Sequence, residues 1–242
     1  MRLIVTENYE EMSYSAAQET AKFIKENPEL VLGLSTGGTP LGTYQELIKL
    51  HENENLDFSK ITTFNLDEYI GLEPKHPQSY TRYTWDNFLS KVNIQKQNVH
   101  IPPGIFKDEK QVLKEYDEKI LEVNGIDVQI LGVGGNGHIG FNEPNQFLHP
   151  NTHITNLTDE TIKDNSRFFL NIDEVPKQAV AMGVGSILRA KHIIFIASGD
   201  EKAEAVRKTF NEKITTHCPS SLLQLHANLT VILDKKAARL LN

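Results

Sequence analysis

The sequence has little of several features that would place it in a familiar class of proteins. It contains one cysteine in 242 residues, which excludes a framework of intramolecular disulfides and a zinc cluster made of cysteines. No apolar run approaches the roughly 18 residues of a membrane-spanning helix. The apolar run near the first residue is too short for a signal peptide. We therefore expect a cytoplasmic protein.

Positive charge is also scarce. The 25 lysines and arginines are outnumbered by 32 aspartates and glutamates, so the formal net charge is -7. A chain of this charge is repelled on average by nucleic acids and anionic membranes, and we expect neither as a partner. No proline- or serine-rich linker, repeat or low-complexity stretch divides the chain, which predicts a single domain over residues 1–242.

Several signatures of well-known catalytic sites are missing. The P-loop pattern G-x-x-x-x-G-K-[ST] does not occur, nor does the G-x-S-x-G turn of serine hydrolases. His149 and His153 are four residues apart, but they flank Pro150, which disrupts the helical face that a zinc site of this spacing requires. We therefore predict no metal. Cys218 stands alone and is interpreted as a small buried apolar side chain.

The most informative stretch is residues 127–144, DVQILGVGGNGHIGFNEP. The apolar run 128–133 predicts a buried strand, and glycines with Pro144 then turn the chain without starting a helix. Ligands of open α/β sheets bind beyond the carboxyl ends of the strands, where Asn136, His138 and Glu143 follow. The glycines also match G-x-G-x-x-G, but no helix begins at the third glycine, which disfavours a dinucleotide site.

Apolar strands alternate with helical patterns along the chain. This alternation predicts an α/β fold, an open, mostly parallel, Rossmann-like doubly wound sheet with helices on both faces. The polar stretch after the histidine segment predicts a lid within residues 145–176 that closes over the site. The predicted strands span residues 3–5, 30–34, 61–66, 128–133, 179–182, 192–197 and 229–233.

A glycine-rich loop, residues 35–40 (STGGTP), follows the second predicted strand. We expect Thr39 to cap the next helix and Pro40 to fit its first turn. Backbone N–H groups at such a helix N-terminus favour an anion, so the loop predicts a phosphate site. A plain turn with glycines for tight packing remains an alternative.

Charged residues follow other predicted strands. Asp67 and Glu68 come at the end of the third strand, although two adjacent acids in a loop are also compatible with simple solvation. Lys202 falls in the first turn of a predicted helix, where a cation opposes the helix dipole unless an anion binds there. Arg167, in the predicted lid, is either a phosphate ligand or a surface charge. These residues indicate acid–base chemistry on a phosphorylated carbonyl compound, as in a sugar-phosphate isomerase.

Five segments, in this order, resemble the glucosamine-6-phosphate deaminase family: STGGTPLGTY, NLDEYIGL, GVGGNGHIGFNEP, NSRFF and CPSSLLQLH. The resemblance spans the chain and implies conversion of glucosamine 6-phosphate and water to fructose 6-phosphate and ammonia. This is a formal hydrolysis combined with isomerisation, and it needs no cofactor. Two alternatives remain, a related 6-phosphogluconolactonase, which lacks the FNEP ending, and a non-catalytic sugar-phosphate sensor.

The resemblance also implies roles for individual residues. Asp67 would take the C2 proton and return it at C1, while His138 would assist ring opening, held by Glu143 and Asn136. Many members have aspartate at the position of Asn136, so His138 is expected to be less basic here. The implied phosphate ligands are Gly37, Gly38, Thr39, Arg167 and Lys202.

Some relatives are hexamers activated by N-acetylglucosamine 6-phosphate, which binds between subunits through serines and basic residues after FNEP. The corresponding positions here are Gln146, Phe147, His153 and Thr155. They supply neither the small hydroxyl-bearing turn nor the fixed positive charge that a second phosphate needs. The comparison with those relatives implies that the effector site is absent, while a homo-oligomer remains possible.

Overall fold

The apolar runs of the sequence form the strands of an open parallel sheet. The computed structural model describes residues 1–241. Its strands are β1 (Arg2–Thr6), β2 (Val31–Leu34), β3 (Thr62–Asn65), β4 (Asp67–Tyr69), β5 (Val99–His100), β6 (Val128–Leu131), β7 (His153–Asn156), β8 (Gln178–Ala181), β9 (His192–Ala197) and β10 (Leu229–Asp234). The main sheet has the order β1-β10-β9-β6-β2-β3-β5, and all its pairings are parallel. The predicted open, mostly parallel sheet is confirmed.

Helices cover both faces of this sheet, which confirms the doubly wound prediction. They are α1 (Tyr9–Glu26), α2 (Leu41–Glu54), α3 (Tyr80–Asn87), α4 (Glu109–Glu122), α5 (Asp159–Asn165), α6 (Val184–Leu188), α7 (Ala203–Phe210) and α8 (Lys235–Ala238). Leu32 and Ile130 belong to the apolar core under α1 and α2, whereas Val31 and Leu131 belong to the core under α4, α6 and α7. Successive residues of a strand face opposite sides, so strands covered on both faces have continuous apolar sequences.

The ends of α1 follow from local chemistry. The Asn8 side chain accepts a hydrogen bond from the Glu11 N–H and so caps the first turn. The helix ends just before Asn27-Pro28, because proline disfavours a helical conformation at the preceding residue. No helix within residues 1–241 has the length and apolar character needed to cross a membrane.

A second sheet was not expected from the sequence. β4, β8 and β7 form a three-stranded antiparallel sheet in the order β4-β8-β7. The strand predicted at residues 179–182 is present, but it belongs to this second sheet. Asp67 and Glu68, predicted in a loop, lie in β4 because their backbone pairs with β8, where Asp67 is opposite Ala181 and Glu68 is opposite Val180.

The polar stretch at residues 145–176 has more regular structure than its composition indicates. It contains β7, α5 and two 3-10 turns, Ser166–Phe168 and Ile172–Glu174. The Thr158 side chain caps α5 by accepting a hydrogen bond from the Thr161 N–H. Leu157, Ile162 and Phe169 pack in one apolar cluster with Tyr69. This stretch therefore rests against the second sheet, and its closure as a lid stays a prediction.

Candidate active site

A cavity of about 670 Å³ opens at the carboxyl ends of β2, β3, β6 and β9. These strands are neighbours in the centre of the main sheet. The strand order reverses between β2 and β6, and ligands of open α/β sheets usually bind at such a point. Asp67, His138, Gly37, Gly38, Thr39, Arg167 and Lys202 line the cavity, whereas Asn136 and Glu143 lie outside its lining.

Glycines allow the turn after β6 to present His138 to the cavity. The imidazole lies directly over Gly134, where an added Cβ would be 2.2 Å from the ring carbon Cε1. Gly137 has a φ of 90°, a left-handed conformation that favours glycine, and its carbonyl accepts a hydrogen bond of 2.9 Å from the Ser220 N–H. Cys218 is buried against Gly137, which confirms its interpretation as a buried side chain.

His138, Glu143 and Thr161 form a hydrogen-bonded group beside the cavity. Glu143 Oε2 lies 3.4 Å from His138 Nδ1, and the Thr161 hydroxyl donates to Glu143 Oε1 at 2.6 Å. Burial raises the pKa of Glu143, but hydrogen bonds from His138, Thr161 and Asn136 and the charge of His138 together hold that pKa below its usual value. Glu143 is therefore a carboxylate beside Nδ1, which leaves Nε2 of the imidazole for the cavity.

Asn136 supports this group without contacting the imidazole. Its Nδ2 donates to Glu143 Oε2 at 2.8 Å, and its Oδ1 accepts from the backbone N–H of His138 at 3.1 Å. Asn136 therefore contacts His138 through its backbone N–H and through Glu143, and not through the ring. Thr161 lies beside the ring instead, 3.4 Å from Nδ1. The sequence offered no signal for it, because a threonine in the first turns of a helix is commonplace.

Asp67 is nearly buried, with 5% of its surface exposed, at the start of β4. Its carboxylate accepts a hydrogen bond from the Phe141 N–H. Gly140 brings the chain close, since an added Cβ there would lie 3.3 Å from Asp67 Oδ2. Burial, and next the negative charge of Glu68, raise the pKa of Asp67 to about 8. A carboxyl group that exchanges its proton near neutral pH is suited to proton transfer at carbon.

Two tyrosines hold the glycine loop. The Tyr83 hydroxyl donates to the Gly37 carbonyl at 2.7 Å, and the Tyr9 hydroxyl donates to the Gly38 carbonyl at 3.0 Å. Across a planar trans peptide the C=O of one residue and the N–H of the next point in opposite directions. The N–H groups of Gly38 and Thr39 therefore point away from the tyrosines, and neither has an acceptor within residues 1–241. This geometry is suited to binding an anion.

Two local expectations about this part of the site are corrected. The N-cap of α2 is Pro40, in helical conformation, and no side chain caps the helix, so Thr39 is not the cap. Lys202 lies in a 3-10 turn, Asp200–Lys202, and α7 begins only at the next residue. Thr39 and Lys202 both line the cavity all the same.

Lys202 is held near Arg167 by the loop that follows β9. The carboxylate of Asp234 accepts hydrogen bonds from the Ser198 hydroxyl at 2.6 Å and from the Gly199 N–H at 3.1 Å. Burial lowers the pKa of Lys202, and the charge of Arg167 lowers it further, while nearby carboxylates act in the opposite direction. Lys202 is half-buried and Arg167 is exposed, and an anion between the two cations would stabilise both.

Aromatic side chains from α3 form part of the cavity wall. Tyr80 and Tyr83 line it, and Tyr80 stacks on Phe141 with ring centroids 5.8 Å apart. Phe88, which follows α3, is fully buried in the core under α1 and α2, and Tyr83 packs against that core as well as lining the cavity. No cluster of three or more His, Cys, Asp or Glu side chains suited to a metal ion occurs in the part of the chain that the structure describes.

The sequence matches the family described as glucosamine-6-phosphate isomerases/6-phosphogluconolactonase over residues 6–232. The chain belongs to this family. A member from Thermoanaerobacter pseudethanolicus, named glucosamine-6-phosphate deaminase, is 52% identical over 241 residues, which cover 100% of this chain and 95% of the relative. A glucosamine-6-phosphate deaminase from Clostridium perfringens (strain 13 / Type A) is 51% identical over 241 residues, with 100% of both chains covered.

Solved structures of the glucosamine-6-phosphate isomerase/6-phosphogluconolactonase family agree with this fold. A monomeric glucosamine-6-phosphate deaminase matches with a TM-score of 0.97 at 45% identity, covering 99% of this chain and 100% of that one. A 6-phosphogluconolactonase from Trypanosoma brucei matches with a TM-score of 0.75 at 17% identity, over 100% of this chain and 98% of that one. The second similarity extends to the fold alone.

Proposed function

We propose that this chain is a glucosamine-6-phosphate deaminase, which converts glucosamine 6-phosphate and water to fructose 6-phosphate and ammonia. One observation carries the proposal, namely that Asp67 and His138 line the same cavity as the glycine loop and two cations. Relatives that bear this name are about half identical over the full length of the chain. The 6-phosphogluconolactonases are more distant, at 17% to 22% identity.

The substrate phosphate binds at the glycine loop. The free N–H groups of Gly38 and Thr39 donate to its oxygens from one side, and Gly37 supplies the bend that exposes them. Arg167 and Lys202 add positive charge from the other elements of the cavity. Anchoring the non-reacting end of the sugar positions C1 and C2 for chemistry.

His138 moves the proton that opens the sugar ring. Glu143 beside Nδ1 fixes the imidazole, so Nε2 can give a proton to the ring oxygen. The proton of the C1 hydroxyl passes to water at the same stage, which yields the open-chain aldehyde. Asn136 holds Glu143 in place through a 2.8 Å hydrogen bond, so its effect on His138 is transmitted by Glu143.

Asp67 carries out the isomerisation. Its carboxylate removes the C2 proton while the C1 oxygen takes a proton from water, which gives an enolamine. The same carboxyl group then returns its proton to C1, so that C1 becomes CH2OH and C2 becomes an iminium carbon. Water adds to C2, the C2–N bond breaks, and ammonia leaves with the ketone of fructose 6-phosphate as the other product. The overall reaction is an isomerisation coupled to deamination, and its hydrolytic step is confined to the iminium.

Three further features belong to the proposal. The stretch at residues 145–176 closes over bound substrate, because Thr161 and Arg167 on it face the cavity. The effector site for an acetylated sugar phosphate is absent, since Gln146 and Phe147 are exposed and lack small hydroxyl groups. The enzyme works in the cytoplasm, where phosphorylated sugars are retained, and a homo-oligomer is compatible with this arrangement.

The deciding experiment incubates purified protein with glucosamine 6-phosphate in the presence of a metal chelator and measures ammonia and fructose 6-phosphate. Equal amounts of both products are expected. The Asp67→Asn variant, purified in the same way, serves as a control for contaminating host enzyme and should form neither product. Hydrolysis of 6-phosphogluconolactone with no ammonia release would favour the lactonase alternative. Sugar-phosphate binding without turnover of either compound would favour a sensor.

A further inference from the structure

Glu68 is the neighbour of Asp67 in β4 but faces the other side of the strand. Side chains alternate along a strand, so Asp67 and Tyr69 share the cavity side while Glu68 points into the space under α3. Glu68 is 1% exposed. It takes part in no ion pair within residues 1–241, although a buried carboxylate normally requires a compensating partner.

The partners of Glu68 are the first amides of α3. Its carboxylate accepts hydrogen bonds from the backbone N–H groups of Tyr80 and Thr81, both at 2.8 Å, from the Thr81 hydroxyl at 2.8 Å and from the Tyr69 N–H at 2.9 Å. Burial raises the pKa of Glu68 above its usual value, and these four hydrogen bonds reduce the rise without cancelling it. The three backbone N–H groups can only donate, and the helix N-terminus favours an anion, so the carboxylate is the form that fits them.

This contact joins the strand of the predicted base to the helix that holds the phosphate loop. α3 carries Tyr80, which forms part of the cavity wall, and Tyr83, which donates to the Gly37 carbonyl. Glu68 therefore sits at the junction between Asp67 and the glycine loop. The Cα atoms of Asp67 and Glu68 are about 3.8 Å apart, as in any trans peptide.

We propose that Glu68 is a positioning residue that seats α3 on β4 and provides a fixed negative charge behind Asp67, which makes Asp67 a stronger base. This inference rests on the proposed function, in which Asp67 takes the proton from C2. The negative charge destabilises the Asp67 carboxylate in the resting site, so the carboxylate gains more when it accepts a proton. No substrate contact is assigned to Glu68.

The other titratable groups around Asp67 leave Glu68 as its main charged neighbour. Tyr69 from β4, Tyr80 from α3 and Tyr116 from α4 face it, and burial raises the pKa of each phenol, so all three are neutral near pH 7. β8 contributes alanine and valine to the pairing. His138, Arg167 and Lys202 line the same cavity, and the mechanism already uses all three.

The test compares wild type with Glu68→Gln in two measurements. The first follows the side-chain carboxyl carbon of Asp67 by NMR as a function of pH in the ligand-free protein, with Asp67→Asn for assignment. The second is the pH profile of kcat/KM, whose acid limb reports the base of the free enzyme. Loss of a nearby like charge should lower the midpoints of both titrations by about one pH unit. On the acid limb, kcat/KM expressed as a fraction of its plateau value should then be about ten times larger than in wild type.

Two control variants separate charge from structure. Glu73→Gln removes the same charge from an exposed residue five positions further on, and should move neither titration. Thr81→Val removes one donor to Glu68 but keeps the charge, so it should loosen α3, raise KM and leave the Asp67 titration in place. If Thr81→Val lowers the Asp67 titration as much as Glu68→Gln does, packing and not charge is responsible, and the inference is overturned.

The remaining outcomes also decide the question. An Asp67 titration unchanged in folded Glu68→Gln protein overturns the inference, whatever happens to turnover. If wild type has no deaminase activity but Glu68→Gln still lowers the Asp67 titration midpoint, the electrostatic role of Glu68 is supported and the proposed function is refuted instead. If Glu68→Gln does not fold, the NMR titration of the Glu68 carboxyl carbon in wild type is decisive. A Glu68 carboxyl group that stays protonated while Asp67 titrates would overturn the proposal.

Discussion

Replacing Asp67 by asparagine should abolish activity and at the same time stabilise the protein at alkaline pH. The buried carboxyl group has a pKa of about 8 in the folded protein, compared with an ordinary value of 3.8. The folded state therefore binds the proton more tightly than the unfolded state. Stability from this group is complete below about pH 4, falls as the pH rises from about 4 to about 8, and is lost above that.

The magnitude follows from the size of the shift. A difference between 3.8 and about 8 corresponds to roughly 6 kcal/mol of unfolding free energy at pH 8.5, at 1.36 kcal/mol for each pH unit. Water that enters the cavity and local relaxation reduce this figure, so we expect a gain of about 2 kcal/mol or more for the asparagine. At pH 5 only about a quarter of the effect has developed. The amide oxygen can still accept the Phe141 N–H.

The assay is thermal unfolding of Asp67→Asn and wild type at pH 5 and pH 8.5. For a chain of this length, 1 kcal/mol moves Tm by about 2 to 4 °C, so the variant should unfold at least about 4 °C higher at pH 8.5 and much closer to wild type at pH 5. Glu73→Gln, at an exposed position, should follow wild type at both values. An asparagine variant that is equally or less stable at pH 8.5 would refute the reasoning that burial destabilises the Asp67 carboxylate.

Three other predictions concern the anion site and its regulation. Lys202→Ala and Arg167→Ala should each raise KM by about 10- to 100-fold with little change in kcat, because each removes a charge-assisted contact of roughly 1.5 to 3 kcal/mol; a collapse of kcat at unchanged KM would contradict the phosphate assignment. Tyr83→Phe should raise KM about fivefold through the loss of one hydrogen bond to Gly37, and steady-state kinetics that match wild type would show that the loop needs no such support. Plots of velocity against substrate should be hyperbolic and unaffected by N-acetylglucosamine 6-phosphate apart from weak competition; activation at low substrate would reveal an effector site.

The parts of the fold that the sequence predicted are those with a local signal. The run at residues 128–133 is apolar and ends in glycines, and a buried strand appears there as β6. The same applies to β2, β9 and β10, each of which is covered on both faces. The second sheet had no such signal, because β4 pairs with β8 more than a hundred residues later and its sequence, DEY, is polar.

The site shows the same division. His138 and Asp67 stand out because polar residues follow apolar strands, and the position of a strand end can be inferred from sequence. Thr161 and Tyr83 reach the site only through tertiary packing, and an aromatic residue in an amphipathic helix is as compatible with the core as with a cavity wall. The role of Asn136 depends on where its amide points, which spacing along the chain does not determine.

The order of strands in the main sheet has a consequence for synthesis. β1, the first strand made, pairs with β10, so Arg2 finds its partner Thr230 across 228 residues of chain. At about 5 to 20 residues per second, the ribosome takes roughly 10 to 45 s to make that stretch. During this time β2, β3 and β6 can already pair with one another. Leu3 and Val5 in β1 have no paired strand yet, and α1 lacks β9 and β10, on which it will also pack. The β1 edge of the main sheet therefore comes early in the sequence but is completed last, when β10 has been made.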